Sequence, residues 1–217
     1  MKLSTTSGEF NVAPTATAWA KGWTLTRNKA SPVSQAYGCK IDLGLPECLE
    51  RHVVVSDDEG MLVELTSKLQ TPGTWLKVCA HPEKVSPLLH KNWQVQAPEY
   101  LMAVALKDAV AGTHGGYLLS LSTSGAVTEA ELRDVDGQLA AKGKVAHCDG
   151  VATFDQIVTE PMHQRKGLGR VIMATLVNAA IAHEARTGVL VATEQGRALY
   201  QAIGWAMVSP VTAAVIV

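Results

Sequence analysis

The sequence has no surplus of either charge. Its 19 Lys and Arg face 20 Asp and Glu, a formal net charge of −1 with His neutral. A broad nucleic-acid footprint needs many Lys and Arg on one face, so near-neutrality argues against nucleic acid as the partner. There is no C-x-x-C, and none of the four cysteines (Cys39, Cys48, Cys79, Cys148) pairs with a His at metal spacing. Idle thiols in a reducing compartment and no metal site are the reading. The N-terminal stretch has no apolar segment of signal-peptide length, and no apolar run approaches the roughly 20 residues that span a bilayer. A cytoplasmic protein with no membrane partner is expected. Charged residues make up 18% and hydrophobic residues 47%, enough apolar material for a substantial core.

What is present is patterned. Residues 1 to about 50 are rich in Ser, Thr, Ala, Gly and Pro, and irregular structure or short strands are expected there. Residues 52–55 read as a strand. Residues 60–69 read as a helix with Met61, Leu62, Leu65 and Leu69 on one face. A strand follows over 75–80, a short helix over 82–91, and one or two strands over 93–106. From Gly116 the pattern becomes a meander. Strands are predicted over 117–123, 126–135, 138–147 and 151–159, with tight turns at Ser124-Gly125, Asp136-Gly137 and Asp149-Gly150. A helix over 170–186, apolar on nearly every face, is expected to be buried on more than one side and to stop at Gly188. A strand over 189–193, a helix over 194–203 and two strands broken near Pro210 complete the chain. Sliding the end of the chain back by 112 positions (205 − 93) lays Trp205 on Trp93, Pro210 on Pro98 and Ala192 on Ala80. This fits a degenerate repeat; it also fits the bare fact that strand–helix–strand units resemble one another.

The eight residues from His163 to Arg170 put two glycines and three cations at the start of the long helix. A first turn ordinarily favours negative side chains, because its free N–H groups carry partial positive charge. Arg165, Lys166 and Arg170 fit there if a separate anion is expected. Gly167 and Gly169 let the backbone approach that anion closely, with the N–H groups of residues 164–170 as donors. A pyrophosphate suits the site. A dinucleotide fingerprint needs a third glycine in a parallel unit, and no Gly-Lys-Ser/Thr of a P-loop follows. In the first half the equivalent place holds Asp57, Asp58 and Glu59, which suit a helix start and would repel an anion.

The motif Q-x-x-G-x-G, directly after a strand ending in Ile157-Val158-Thr159-Glu160-Pro161 and followed by a helix, a strand and Tyr200 to Trp205, resembles the GCN5-related N-acetyltransferase (GNAT) superfamily. The family pattern is roughly V-x-P-x-x-(R/Q)-x-x-G-x-G, then Y-x-x-x-G-F. Pro161, Gln164, Gly167, Gly169, Tyr200 and Gly204 match; Thr159 replaces Val and Trp205 replaces Phe. The family often has Asn and Ala where Thr193 and Gly196 stand. It also usually has two helices between its first two strands, where this chain has only the Ser124-Gly125 turn. The N-terminal half is therefore expected to supply one wall of the acceptor site.

The resemblance implies an α/β (α+β) fold, a mixed, mostly antiparallel sheet flanked by helices. Residues 1–112 are expected to form an N-terminal lobe, a degenerate GNAT-like half, and residues 113–217 the acetyl-CoA-binding domain. It implies an acetyl-CoA-dependent N-acetyltransferase acting on the primary amine of a small molecule (amino acid, polyamine, or amine-bearing toxin or antibiotic) by direct attack. Coenzyme A would lie on Ile157, Val158, Thr159, Gln164, Arg165, Lys166, Gly167, Leu168, Gly169 and Arg170. A backbone N–H near Ile157 or Val158 would polarise the thioester carbonyl. Tyr200 is the expected general acid. Asp155, a carboxylate within an apolar strand, is the candidate base; a structural, hydrogen-bonded Asp155 with deprotonation through water is the alternative. His163 is expected on the loop surface. A protein Lys or N-terminal acetyltransferase and a non-catalytic acyl-CoA sensor stay open, as does monomer or homodimer.

Overall fold

The computed structural model describes residues 10–56, 58–110, 112 and 115–217. Along the chain come α1 (Val12–Thr26), β1 (Val33–Gln35), β2 (Gly38–Leu45), β3 (Cys48–Val54), α2 (Glu59–Lys68) and β4 (Thr74–Val78). Then follow α3 (Pro82–Val85) with a 3-10 turn over Ser86–Leu88, β5 (Trp93–Val95) and β6 (Glu99–Ala105). The meander is β7 (Leu118–Ser124), β8 (Val127–Arg133), β9 (Leu139–Cys148) and β10 (Val151–Thr159). A 3-10 turn over Pro161–His163, α4 (Leu168–Ala182), β11 (Thr187–Thr193), α5 (Glu194–Ala202) and β12 (Ala206–Ile216) complete it. Among the described pairings only β3–β4 and β10–β11 are parallel. The fold is thus mixed α/β with mostly antiparallel strands. Among the described residues no helix is long and apolar enough to cross a membrane.

Two compact units divide the described residues, both discontinuous: those within 10–20, 29–103 and 191–217 form one, those within 21–28 and 104–190 the other. The expected boundary after Gly112 abuts Thr113, which lies outside the described residues. In the first unit, β3, α2 and β4 make a parallel crossover. Leu62 of α2 packs in a core with Val54, Leu76, Val78, Trp93, Ala214 and Ile216. Asp58 caps α2, its Oδ1 accepting the Met61 N–H at 2.7 Å. Asp57 of the same expected cluster lies outside the described residues. β12 is one strand rather than two. Its register slips between Met207 and Ser209, so the strand passes Pro210 without breaking. Its C-terminal part pairs with β4 and β5, its N-terminal part with β6. Moving one partner forward by 112 positions and the other back by 112 turns Val95↔Ala214 and Gln94↔Val215 into Met207↔Met102 and Ala206↔Ala103, and both of those pairs exist.

In the second unit, β7 to β10 form the antiparallel meander, and β10, α4 and the start of β11 form a second parallel crossover. One face of the meander (Ala130, Leu132, Ala141, Val145, Phe154) is buried under α4, which contributes Val171, Ile172, Met173, Leu176 and Ala180. The helix ends well before Gly188, which lies inside β11; Glu184, at φ +63°, turns the chain instead. Within the first 50 residues, β1 and β2 are the short strands expected, but Val12–Thr26 form a 15-residue helix, α1, where irregular structure or strands were expected. The Lys21–Asn28 portion belongs to this unit and lies along β10: Lys21 pairs with Asp149 at 3.3 Å, and Gly22 abuts Thr153. The four cysteines are free thiols; burial pushes Cys39 up to about 11 and Cys79 up to about 12, so both stay protonated and inert.

Candidate active site

The loop and helix start that the sequence singled out stand in the second unit, and their geometry suits an anion. Gly167 is the N-cap of α4 at φ +80°, a left-handed conformation that side chains resist. A Cβ there would meet nothing within 4 Å, so the space over the helix start is open. No side chain caps α4 and no acid stands in its first turn. The first-turn N–H groups therefore keep their capacity for an external acceptor. At α2, by contrast, Asp58 fills that place.

Around the open helix start, Gln164, Arg165, Lys166 and Arg170 are exposed, while Leu168 is buried and anchors the first turn from below. Arg165 and Arg170 form no ion pair among the described residues. The Gln164 side chain donates to the Thr159 carbonyl at 3.3 Å, tying the loop back to β10. His163 is not a bare surface residue. Its Nε2 stands 3.6 Å from Asp134 Oδ2, its Nδ1 lies 3.1 Å from the Tyr117 hydroxyl, and Lys166 Nζ donates to that hydroxyl at 3.3 Å. Asp134, His163, Tyr117 and Lys166 thus form one chain that orients a loop cation. Spacing gave no hint of it, because Tyr117 and Asp134 lie far off in sequence.

β10 carries the second element of the site. Its ladder to β11 spans Val151–Thr153 against Thr187–Val189 and ends there, while β10 runs on to Thr159. Its ladder to β9 slips between Asp155↔Lys144 and Val158↔Lys142, so that Gln156 and Ile157 together face Gly143. This is a β-bulge, with Gln156 at φ +56°. Gly143 is what admits it: a Cβ there would meet Ile157 Cδ1 at 2.4 Å and Ile172 Cγ2 at 2.9 Å. Beyond the bulge the Glu160 N–H bonds Ala140 on β9 at 2.9 Å. By strand alternation the Val158 N–H also points to β9, and those of Ile157 and Thr159 point to the other side.

Asp155 sits just before the bulge with both oxygens engaged. Arg27 holds it from Nε at 2.9 Å and Nη2 at 3.3 Å, and Thr26 Oγ1 donates at 2.8 Å. The Arg27 guanidinium also lies 4.7 Å from the Trp23 ring centroid. A carboxylate held this way keeps its place. Neither Thr26 nor Arg27 was a sequence candidate, since nothing linked residues 26–27 to 155 before α1 was seen on β10.

Tyr200 belongs to the first unit, on α5. It is 8% exposed, with its ring centroid 5.9 Å from that of Trp205. Thr193, where the family often has Asn, caps α5 by accepting the Gly196 N–H at 3.2 Å. A Cβ on Gly196 would stand 3.2 Å from the Tyr200 ring, so the glycine leaves the ring its room. Tyr100 on β6 donates to Glu194, and the Arg197 guanidinium lies 4.1 Å from the Tyr100 ring centroid. Among the described residues no group of three His, Cys, Asp or Glu side chains could hold a metal.

A family model described as "Acetyltransferase (GNAT) family" matches residues 69–205. Among solved structures, the chain is similar to a GCN5-related N-acetyltransferase from Kribbella flavida, at a TM-score of 0.66 and 15% identity over 96% of each chain. A GCN5-related N-acetyltransferase from Sphaerobacter thermophilus matches at a TM-score of 0.60 and 10% identity, covering 81% of this chain and 75% of that one. A tandem GNAT protein from the clavulanic acid biosynthesis pathway matches at 0.53 and 13%, over 70% and 66% of the two chains. At these identities the likeness is one of fold. No curated protein matches the chain in sequence.

Proposed function

The chain belongs to the acetyltransferase (GNAT) family, an acyltransferase family that uses acetyl-CoA, and we propose that it acetylates the primary amine of a small molecule. The observation that carries this reading is the uncapped, acid-free, cation-rich N-terminus of α4 beside a bulged strand whose pairing to β11 has ended. The Gly167–Arg170 backbone, with Gln164, Arg165, Lys166 and Arg170, would hold the pyrophosphate, and Ile157–Thr159 the pantetheine arm. Bound there, acetyl-CoA supplies an acetyl group already activated as a thioester.

The chain's own part is positioning and charge stabilisation. The Ile157 N–H is the donor to the acetyl carbonyl oxygen, a preorganised hydrogen bond of the kind worth about 10²–10³ in rate. Tyr200 is the proton donor to the departing thiolate, its ring held by Trp205 and given room by Gly196. Asp155, doubly held by Arg27 and Thr26, is better suited to fixing Arg27 beside the bulge than to taking a proton. We therefore assign the acceptor's deprotonation to water. Residues 1–112 are read as a degenerate GNAT-like half. The exchangeable registers of β5, β6 and β12 support this, and Asp58 stands where the second crossover leaves its helix open.

The test is free-thiol release from acetyl-CoA against amino acids, polyamines, aminoglycosides and Lys peptides. Turnover with one small-amine class, reduced by roughly 10²-fold or more in Tyr200→Phe, is the expected result. Preference for Lys peptides, or no thiol release with any amine, would overturn the small-molecule reading.

A further inference from the structure

Resting on that reading, the charges around the bulge point to the kind of amine. β9 and β10 have two different faces in the second unit. Gly143, Val145 and Phe154 face α4, whose packing closes that side. Lys142, Lys144, Asp155 and Val158 are on the opposite face. There α1 covers Thr153 and Asp155 and ends at Thr26, and beyond its end Val158 is 43% exposed. An acceptor that reaches the bulge across a face of the sheet must use this one.

Most charged groups on this face pair off, and Lys142 and Glu160 are left without an ion pair among the described residues. Asp155 holds Arg27. Lys144, directly across from Asp155, holds Glu129 on β8 at 3.3 Å. Glu131, directly across from Lys142, bonds Arg133 on its own strand at 2.8 Å. Lys142 is half-buried and has no hydrogen bond or ion pair among the described residues. It stands opposite Val158, the residue that closes the bulge. Arg27 adds a second cation on the near side, with Nε and Nη2 spent on Asp155 and Nη1 without a partner among the described residues. A half-buried ammonium held in no ion pair, next to the site of acyl transfer, is free to meet an anion that arrives with the substrate.

We propose that Lys142, flanked by Arg27, is an acceptor subsite for an anionic group, so that the acceptor is a primary amine bearing a carboxylate or phosphate rather than a polyamine. Lys142 is thereby a specificity residue that touches the acceptor and takes no part in proton transfer.

The experiment uses matched acceptors: amino acids against their amides, and phosphoethanolamine against ethanolamine. Each is measured by thiol release and, independently of turnover, by calorimetric titration onto the CoA-saturated protein. The anionic member of one pair should be preferred about tenfold or more, and the pair that shows it distinguishes carboxylate from phosphate. Lys142→Gln should raise KM for that acceptor by a similar factor and erase the preference. It should leave kcat, the KM for acetyl-CoA and the KM for the uncharged member unchanged. Lys142→Glu should reverse the preference. Equal or better use of the uncharged amines, or a preference that survives Lys142→Gln, would overturn the subsite, as would binding of neither member. A binding preference that depends on Lys142 but comes with no thiol release would uphold the subsite and count against the transfer reading alone.

Discussion

Gly22→Ala sets two known effects against each other. In the middle of an exposed helix this change stabilises by about 1 kcal/mol, because Ala is the better helix former. Gly22, however, lies where α1 rests on β10. A Cβ there would stand 2.1 Å from Thr153 Oγ1 and 2.3 Å from Thr153 Cβ. The second contact decides the sign, because a Cβ does not move with rotamer. Restoring ordinary contact requires α1 and β10 to separate by about 1 Å or more. Overpacking of this kind costs typically 1–3 kcal/mol, and this contact belongs at the upper end. The net expectation is a loss of about 2 kcal/mol, or roughly 4–8 °C in Tm for a chain of this size. The same displacement would stretch the 2.9 Å contact between Arg27 and Asp155 beyond hydrogen-bonding range. Differential scanning calorimetry checks the first effect. A Tm equal to or above that of the wild type would refute the packing argument. Thr153→Ser, which keeps the Cβ and a hydroxyl, should not rescue the variant.

Two further outcomes are expected. Gly167→Ala meets open space but puts a side chain at φ +80°. It should cost about 1–2 kcal/mol in a melt, and the KM for acetyl-CoA should rise while kcat stays closer to wild type. His147 stacks on His183 with ring centroids 4.0 Å apart, and burial, helped by His183, holds its pKa below the ordinary value. The unfolded chain therefore takes up this proton first. The related stability is fully present above the unfolded value of about 6.5 and is lost as pH falls from there through the folded value. Tm should drop between pH 7.5 and 5.5, and the drop should be smaller in His183→Asn; an equal drop would remove the stacked pair as its cause.

The meander was legible because its turns are written in dipeptides. Ser124-Gly125, Asp136-Gly137 and Asp149-Gly150 connect the four strands as expected. The anion loop was legible because its glycines and cations contradict the usual chemistry of a helix start. The helix α1 was not. It contains four threonines and a glycine, whose intrinsic preferences disfavour helix. Thr15, Thr17 and Thr24 bond carbonyls three or four residues back, and the packing of Gly22 on Thr153 favours the helix from outside. The bulge escaped for a different reason. Ile157 and Val158 continue the apolar run, and only the cross-strand Gly143 records that an extra residue must fit there. The partners of Asp155 could not be read either, since they come from a helix about 130 residues away whose existence the composition argued against.

The claim at the centre is that acetyl-CoA is held at the open start of α4 and that the corresponding start of α2 is closed by Asp58. Calorimetric titration of acetyl-CoA into the protein tests it most directly. The account predicts one molecule bound per chain. No binding, or two molecules per chain, would contradict it.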